Sequence, residues 1–296
     1  EMNNGYSMCA VKNNKNKHMK KLLLLTFLFI SFLCEAQQKT FITDWKKSYG
    51  GNNIDRAYDI KKTTDGGYIV SGITGTPNNG DVSGWHGASD VWILKLDPNG
   101  NKQWAKCYGG SYTESGPTGG NFPGNQTNPI NIQLTPDGGY IFATNSFSNN
   151  GDVTNHSNSF DFSDCWIVKL NSSGVIEWQK SIGYSYNEYA TSIVSTLDGG
   201  YIFAGYFDNG PVTPRDIMLV KITNSGNIVW RKNYGGSKDE TYPQIIKTHD
   251  NAFVIACNTT SNDGDVGSTH LDSVSWSRNI WLFKINDTGR IVWQEV

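Results

Sequence analysis

Apolar residues along this chain come in short runs of about seven, cut by Asp-Gly, Asn-Gly and Ser-Gly turns, and the same words return in the same order. TxDGGYI stands at 63–69, 135–141 and 196–202, with a degenerate copy over 248–254. DxWxxKL follows at 90–96, 164–170, 216–222 (Met218 for Trp) and 279–285. A turn ending in Gly100, Gly174, Gly226 or Gly289 comes next. WxKxYGG then closes the unit at 45–51, 104–110, 178–184 (with Ile182, and Gly183 before Tyr184) and 230–236, and Trp293 opens a fifth copy. Successive tryptophans of this last word lie 59, 74, 52 and 63 residues apart, so the unit is about 50 residues with variable insertions.

Each unit holds four strand-like runs, as at 57–63, 67–73, 90–96 and 102–108. Asp65-Gly66 and Asn99-Gly100 tolerate positive φ and so predict tight hairpins between the first and second and the third and fourth runs. The near-continuous apolar run Val91 to Leu94 suits a strand covered on both faces. A four-stranded meander copied in tandem, each copy pressed between two others, predicts an all-β fold: a β-propeller with about four blades in this chain. A β-helix would show roughly half this period, and an immunoglobulin-like array about seven strands per unit. The blades are expected at about 55–108, 114–183, 187–235 and 239–296, after an N-terminal strand at 41–50. Five fourth-strand words against four sets of the other three predict a piece of a larger propeller, with one edge exposed.

The three words resemble the repeats of large secreted bacterial propeller proteins, the SBBP and delta-60 families, often cargo of type IX secretion. The resemblance covers residues 41–296 and implies fold and export far more than activity. TxDxG is also similar to the Asp-box hairpin of sialidases, but Tyr and Ile follow where that box has Thr and Trp, so the turn carries over and the enzyme does not.

Residues 19–36 read as a signal peptide: Lys20 and Lys21, twelve mostly apolar residues, then Cys34 and Ala36 before a cut. Twelve is too short to span a membrane, and no span is expected in the mature chain. Acylation at Cys34 is the alternative processing, with Leu33 a poor residue ahead of it. Residues 1–18 read as an upstream extension outside the fold. The expected location is therefore extracellular or the outer cell surface. The full chain carries 25 basic and 27 acidic residues; beyond residue 36 there remain 20 and 25, a mild net −5 that excludes a nucleic-acid partner. Cys107, Cys165 and Cys257 fall on different strands of three units and predict buried apolar thiols rather than disulfides.

The loops between second and third runs are lengthened at 79–88, 145–163 and 258–277, and the crossing from the first to the second blade at 111–129. These share one face, the default binding face for a protein or glycan partner. Candidate ligand-binding residues there are Trp85, His86, Phe122, His156, Phe160, His270 and Trp276. Asp81, Asp152, Asp263 and Asp265, in NGDV or DGDV words, read either as calcium ligands or as Asp-anchored turns. No other cofactor is implied. Lys95, Lys169, Lys221 and Lys284 recur at one strand position, which predicts ammonium groups fixed at the blade end. The chain contains no nucleophile motif, phosphate loop or singular acid pair. The reading is a non-catalytic binding scaffold, against two alternatives: a polysaccharide-processing enzyme with an axial acidic site, and a structural spacer of a larger surface protein.

Overall fold

The structure, a computed structural model, describes residues 44–115, 129–156, 162–183, 186–208, 210, 213–267 and 278–296. The chain divides into two compact units, Glu1–Asp44 and Trp45–Val296, and every strand lies in the second. The signal peptide and Cys34 fall outside the described residues.

Among the described residues, sixteen strands form four antiparallel sheets, each in simple sequence order. Sheet one is β1 (Asp55–Lys62), β2 (Tyr68–Thr74), β3 (Asp90–Leu96) and β4 (Lys102–Tyr108). Sheet two is β5 (Asn131–Leu134), β6 (Tyr140–Ser146), β7 (Asp164–Leu170) and β8 (Ile176–Ile182). Sheet three is β9 (Glu188–Ser195), β10 (Tyr201–Phe207), β11 (Asp216–Ile222) and β12 (Ile228–Tyr234). Sheet four is β13 (Glu240–Lys247), β14 (Phe253–Thr259), β15 (Asn279–Ile285) and β16 (Ile291–Glu295). A single 3-10 turn, Gly264–Val266, is the only helical element among the described residues, and none of these forms a helix long and apolar enough to cross a membrane.

The repeated words set this geometry directly. Gly66, Gly138 and Gly199 take φ near +80° in the first hairpin, and Asn251 takes +60° in the degenerate copy, the one other residue type that adopts this region readily. Sheets then stack through their apolar faces. Ile69, Val91 and Ile93 of sheet one meet Ile132, Phe142 and Trp166 of sheet two. Ile141, Cys165 and Ile167 on the other side of sheet two meet Ile193, Phe203 and Met218 of sheet three. Ile202 and Leu219 of sheet three meet Ile255, Trp281 and Phe283 of sheet four. Each such fully buried side chain contributes about 1.5–3 kcal/mol, and sheets two and three collect this on both faces. These are propeller blades, as the periodicity predicts.

Fourth-strand tryptophans join consecutive blades. Trp178 Nε1 donates to Asn224 O at 3.0 Å, and Trp230 Nε1 to Asp287 O at 3.1 Å. Tyr108 and Tyr234 hydroxyls donate to Gly174 O and Gly289 O of the following sheet at 2.7 and 2.6 Å. Residues 44–50 make the same contacts on sheet one: Trp45 Nε1 reaches Pro98 O at 3.1 Å, and Tyr49 OH reaches Gly100 O. They are not a strand, against the expectation for 41–50, because no described strand lies beside them to exchange ladder hydrogen bonds.

A second difference concerns 111–129. Glu114 bridges Ser146 just as Glu188 pairs with Phe207 and Glu240 with Thr259 in their sheets. The insertion therefore interrupts the first strand of sheet two after Glu114, rather than lengthening the crossing from blade to blade.

Candidate functional site: the long-loop face and the blade interfaces beneath it

The NGDV-type words reach backward to the preceding blade. Asp81 N, Asp152 N and Asp265 N donate to Gly50 O, Gly109 O and Gly235 O at 3.0, 2.9 and 2.9 Å. Their carboxylates accept from the same three glycines, Asp81 from Gly50 N at 3.3 Å, Asp152 from Gly109 N at 3.2 Å and Asp265 from Gly235 N at 3.3 Å. Asp263 Oδ1 accepts from Ser237 N at 2.7 Å, which holds its carboxyl below the usual range. A hydrogen bond from Lys102 does the same for Asp81, while burial pushes Asp152 up. Each clamp thus fastens a loop to the Tyr-Gly-Gly end of its neighbour. The four acids stand at three separate interfaces, and no group of three or more His, Cys, Asp or Glu placed to hold a metal occurs among the described residues.

His86 lies over the first interface. Its Nδ1 sits 2.7 Å from Asp90 Oδ2, the backbone N of His86 donates to the same oxygen at 2.9 Å, and Nε2 is 3.8 Å from Asp152 Oδ2. His156 stands one blade on, its Nδ1 4.0 Å from Asp164 Oδ2 and its Nε2 3.0 Å from Ser146 O, with a side chain that is almost wholly buried. Trp85 is half-buried against the cluster of Val82 and Trp92, and its backbone N donates to Asn78 Oδ1 at 3.1 Å, so it closes its own loop. Phe122, Phe160, His270 and Trp276 lie outside the described residues.

Sequence reasoning missed a set of carboxylate pairs. The Asp that opens each third strand faces the acid that opens the next blade's first strand: Asp90 with Glu114, Asp164 with Glu188, Asp216 with Glu240. A methyl on Gly109, Gly183 or Gly235 would strike both members of its pair, so these glycines leave room for two carboxylates. Burial, then the neighbouring Asp90, pushes Glu114 well above the usual carboxylate range. Burial and then Glu240 raise Asp216 to about 6. Burial raises Asp90 also, and its Oδ1 is buried with no hydrogen-bond partner. A second carboxylate in a shared buried site disfavours the charged form of the first. The signal was present: both members are 24 residues apart in all three cases, with the fourth-strand Trp 14 residues after the Asp each time.

On the opposite face the four recurring lysines behave as expected. Lys95, Lys169, Lys221 and Lys284 reach Asp65, Asp137, Asp198 and Asp250 of the first hairpins at 2.7, 2.8, 2.8 and 2.6 Å. All four aspartates are held down to about 2, Asp137 by its lysine against an opposing burial effect and the others chiefly by the lysine hydrogen bond. The three cysteines are free and buried, and burial pushes the Cys107 thiol up to about 12.

First strands of all four sheets line a cleft of about 340 Å³. Along it runs a polar ladder at one register. Asp59 Oδ2 accepts from Ile132 N at 3.2 Å, Asn131 Oδ1 from Ile193 N at 3.1 Å, and Ser192 Oγ from Ile245 N at 3.3 Å. Gln244 occupies the same register in sheet four, exposed.

This combination defines an all-β protein of propeller blades with repeated, interlocking interfaces. No family model matches the chain, and no curated protein does. Among solved structures, it is similar to an unknown-function protein from Dyadobacter fermentans DSM 18053 (TM-score 0.45, 10% identity, covering 83% of this chain and 63% of that one). It is similar also to an endo-1,5-alpha-L-arabinanase from Thermotoga petrophila RKU-1 (0.40, 11%, 79% and 57%) and to an endo-1,4-beta-xylanase from Bacteroides thetaiotaomicron VPI-5482 (0.43, 10%, 82% and 76%). The chain spans about three fifths of the length of the first two.

Proposed function

We propose that the chain is an exported, cell-surface propeller that acts as a non-catalytic binding scaffold, its partner a protein or glycan held on the long-loop face. One observation carries this reading: the reactive side chains of the described residues come in copies with equal structural roles. Three Asp–backbone clamps, three interblade carboxylate pairs and four lysine staples each do the same work in the blades that carry them. A catalytic acid pair must differ from its copies to bind one substrate in one pose. What differs between blades is loop length on one face, where a rigid scaffold presents variable segments. The resemblance of the repeat words to SBBP and delta-60 proteins, together with the leader at 19–36, supports export.

The test is the full chain on a glycan array and against a polysaccharide panel scored for reducing-sugar release. Binding without release is expected, reduced by the double variant Trp85→Ala, His86→Ala. Catalytic release of sugar by the purified chain, abolished by a single acid substitution, would sink the proposal.

A further inference from the structure

The first-strand cleft differs in chemistry from the clamps, acid pairs and lysine staples. Its lining carries two lysines, Lys61 from sheet one and Lys247 from sheet four, and the one carboxylate of the ladder beside it, Asp59, faces Lys61. Lys61 is already paired, its Nζ 2.8 Å from Asp59 Oδ1. Lys247 is half-buried and has no carboxylate partner among the described residues, unlike the four staple lysines. Around it stand Gln244, exposed and with no side-chain hydrogen bond among the described residues, Gln133, Ser195 and the exposed apolar face of Ile246. A single unpaired cation, neutral donors and acceptors, and one apolar wall fit a ligand with one negative charge, several hydroxyls and a hydrocarbon face. The volume is that of a small-molecule site, near the lower end of the usual range of about 300–1,000 Å³.

We infer that this cleft is a binding site for a compact hydroxylated carboxylate of the uronic-acid class. The Lys247 ammonium takes the carboxylate, Gln133, Ser195 and Gln244 take the ring hydroxyls, and Ile246 lies under the apolar face of the ring. The site is separate from the long-loop face, so the Trp85→Ala, His86→Ala variant retains it.

Calorimetric titration of the full chain with D-galacturonate tests this, with D-glucose as the neutral arm and sodium sulfate as the inorganic anion arm. The expected result is one site for galacturonate and none for glucose. Lys247→Gln should weaken it about tenfold or more, as loss of a charge-assisted hydrogen bond does. Lys238→Gln, an exposed loop lysine away from the cleft, should leave it unchanged, as should Lys247→Arg, which keeps the charge should the Gln variant melt early. Absence of galacturonate binding at millimolar concentration overturns the inference. So does equal affinity for glucose, equal affinity in Lys247→Gln, or sulfate binding more tightly than the uronate.

Discussion

Strands β7 and β15 carry nearly the same word, DCWIVKL against NIWLFKI, at the same place in their blades. Every residue of β7 is buried, whereas β15 alternates, with Ile280 66% and Leu282 37% exposed against 0% for Cys165 and Ile167 at the matching positions. Sheet two has a described sheet on each side; sheet four has one. Periodicity of the strand is therefore not a property of its own sequence but of how many neighbours it meets, and an apolar run reads as two-faced burial whether or not both faces are filled. The largest expected effect follows. Ile167→Ala should cost about 2–5 kcal/mol in urea unfolding, as core truncations do, and Leu282→Ala about 1 kcal/mol or less. Equal costs would mean that the outer face of sheet four is covered in solution.

The acid pairs sharpen the same contrast. Asp90, Asp164 and Asp216 open the third strands of sheets one to three, each meeting an acid of the next blade, while sheet four has the neutral Asn279 at that position. Asp216 is raised to about 6 from an ordinary 3.8, so the folded chain binds its proton more tightly than the unfolded one. Its contribution is fully present below about pH 4 and is lost as pH rises through about 6. Asp216→Asn should therefore raise the melting temperature at pH 7.5, by a stabilisation of about 1–2 kcal/mol once solvent screening is discounted, and give no gain at pH 4. Melting curves between those limits check it; a gain independent of pH would show that the charge on Asp216 is not the cost.

Much of this fold was legible because the repeat states each strand several times. β3 begins and ends with its word, β4 spans the run expected at 102–108, and the Asp-Gly and Asn-Gly turns carry the positive φ values their residues predict. The staple lysines were readable because four copies share one register. Side chains that meet across blades were harder. Asp216 and Glu240 stand in different blades, and in the letters only a constant interval of 24 residues ties them together. The polar ladder left no trace at all, since Asp59, Asn131 and Ser192 share a position and an acceptor role but not a residue type, and Gln244 shares only the position. Physical roles filled by interchangeable acceptors do not produce a repeat that letters reveal. The strand expected at 41–50 failed for a related reason: the word specifies contacts to the following blade, which are made, but a strand also needs a paired neighbour.

The smallest effect discriminates most finely, because it compares one residue type in one register. Lys221 is buried and bonds Asp198 of its own sheet at 2.8 Å and Asp287 of sheet four at 2.6 Å, so it ties two blades. Lys284 is more exposed and, among the described residues, is paired with Asp250 of its own hairpin alone. Replacing either by Met keeps the apolar stem and removes the ammonium, leaving aspartates that are half-exposed and readily hydrated. Lys221→Met should therefore destabilise by only about 1 kcal/mol, and Lys284→Met by a few tenths, both measured by urea unfolding at pH 7. Because the paired aspartates sit near 2, below their ordinary 3.8, the support these pairs give is present above about pH 4 and is lost as pH falls toward 2. The gap between wild type and Lys221→Met should close over that interval. A gap that persists at pH 2 would assign the loss to packing of the stem instead of to the charge that links sheet three to sheet four.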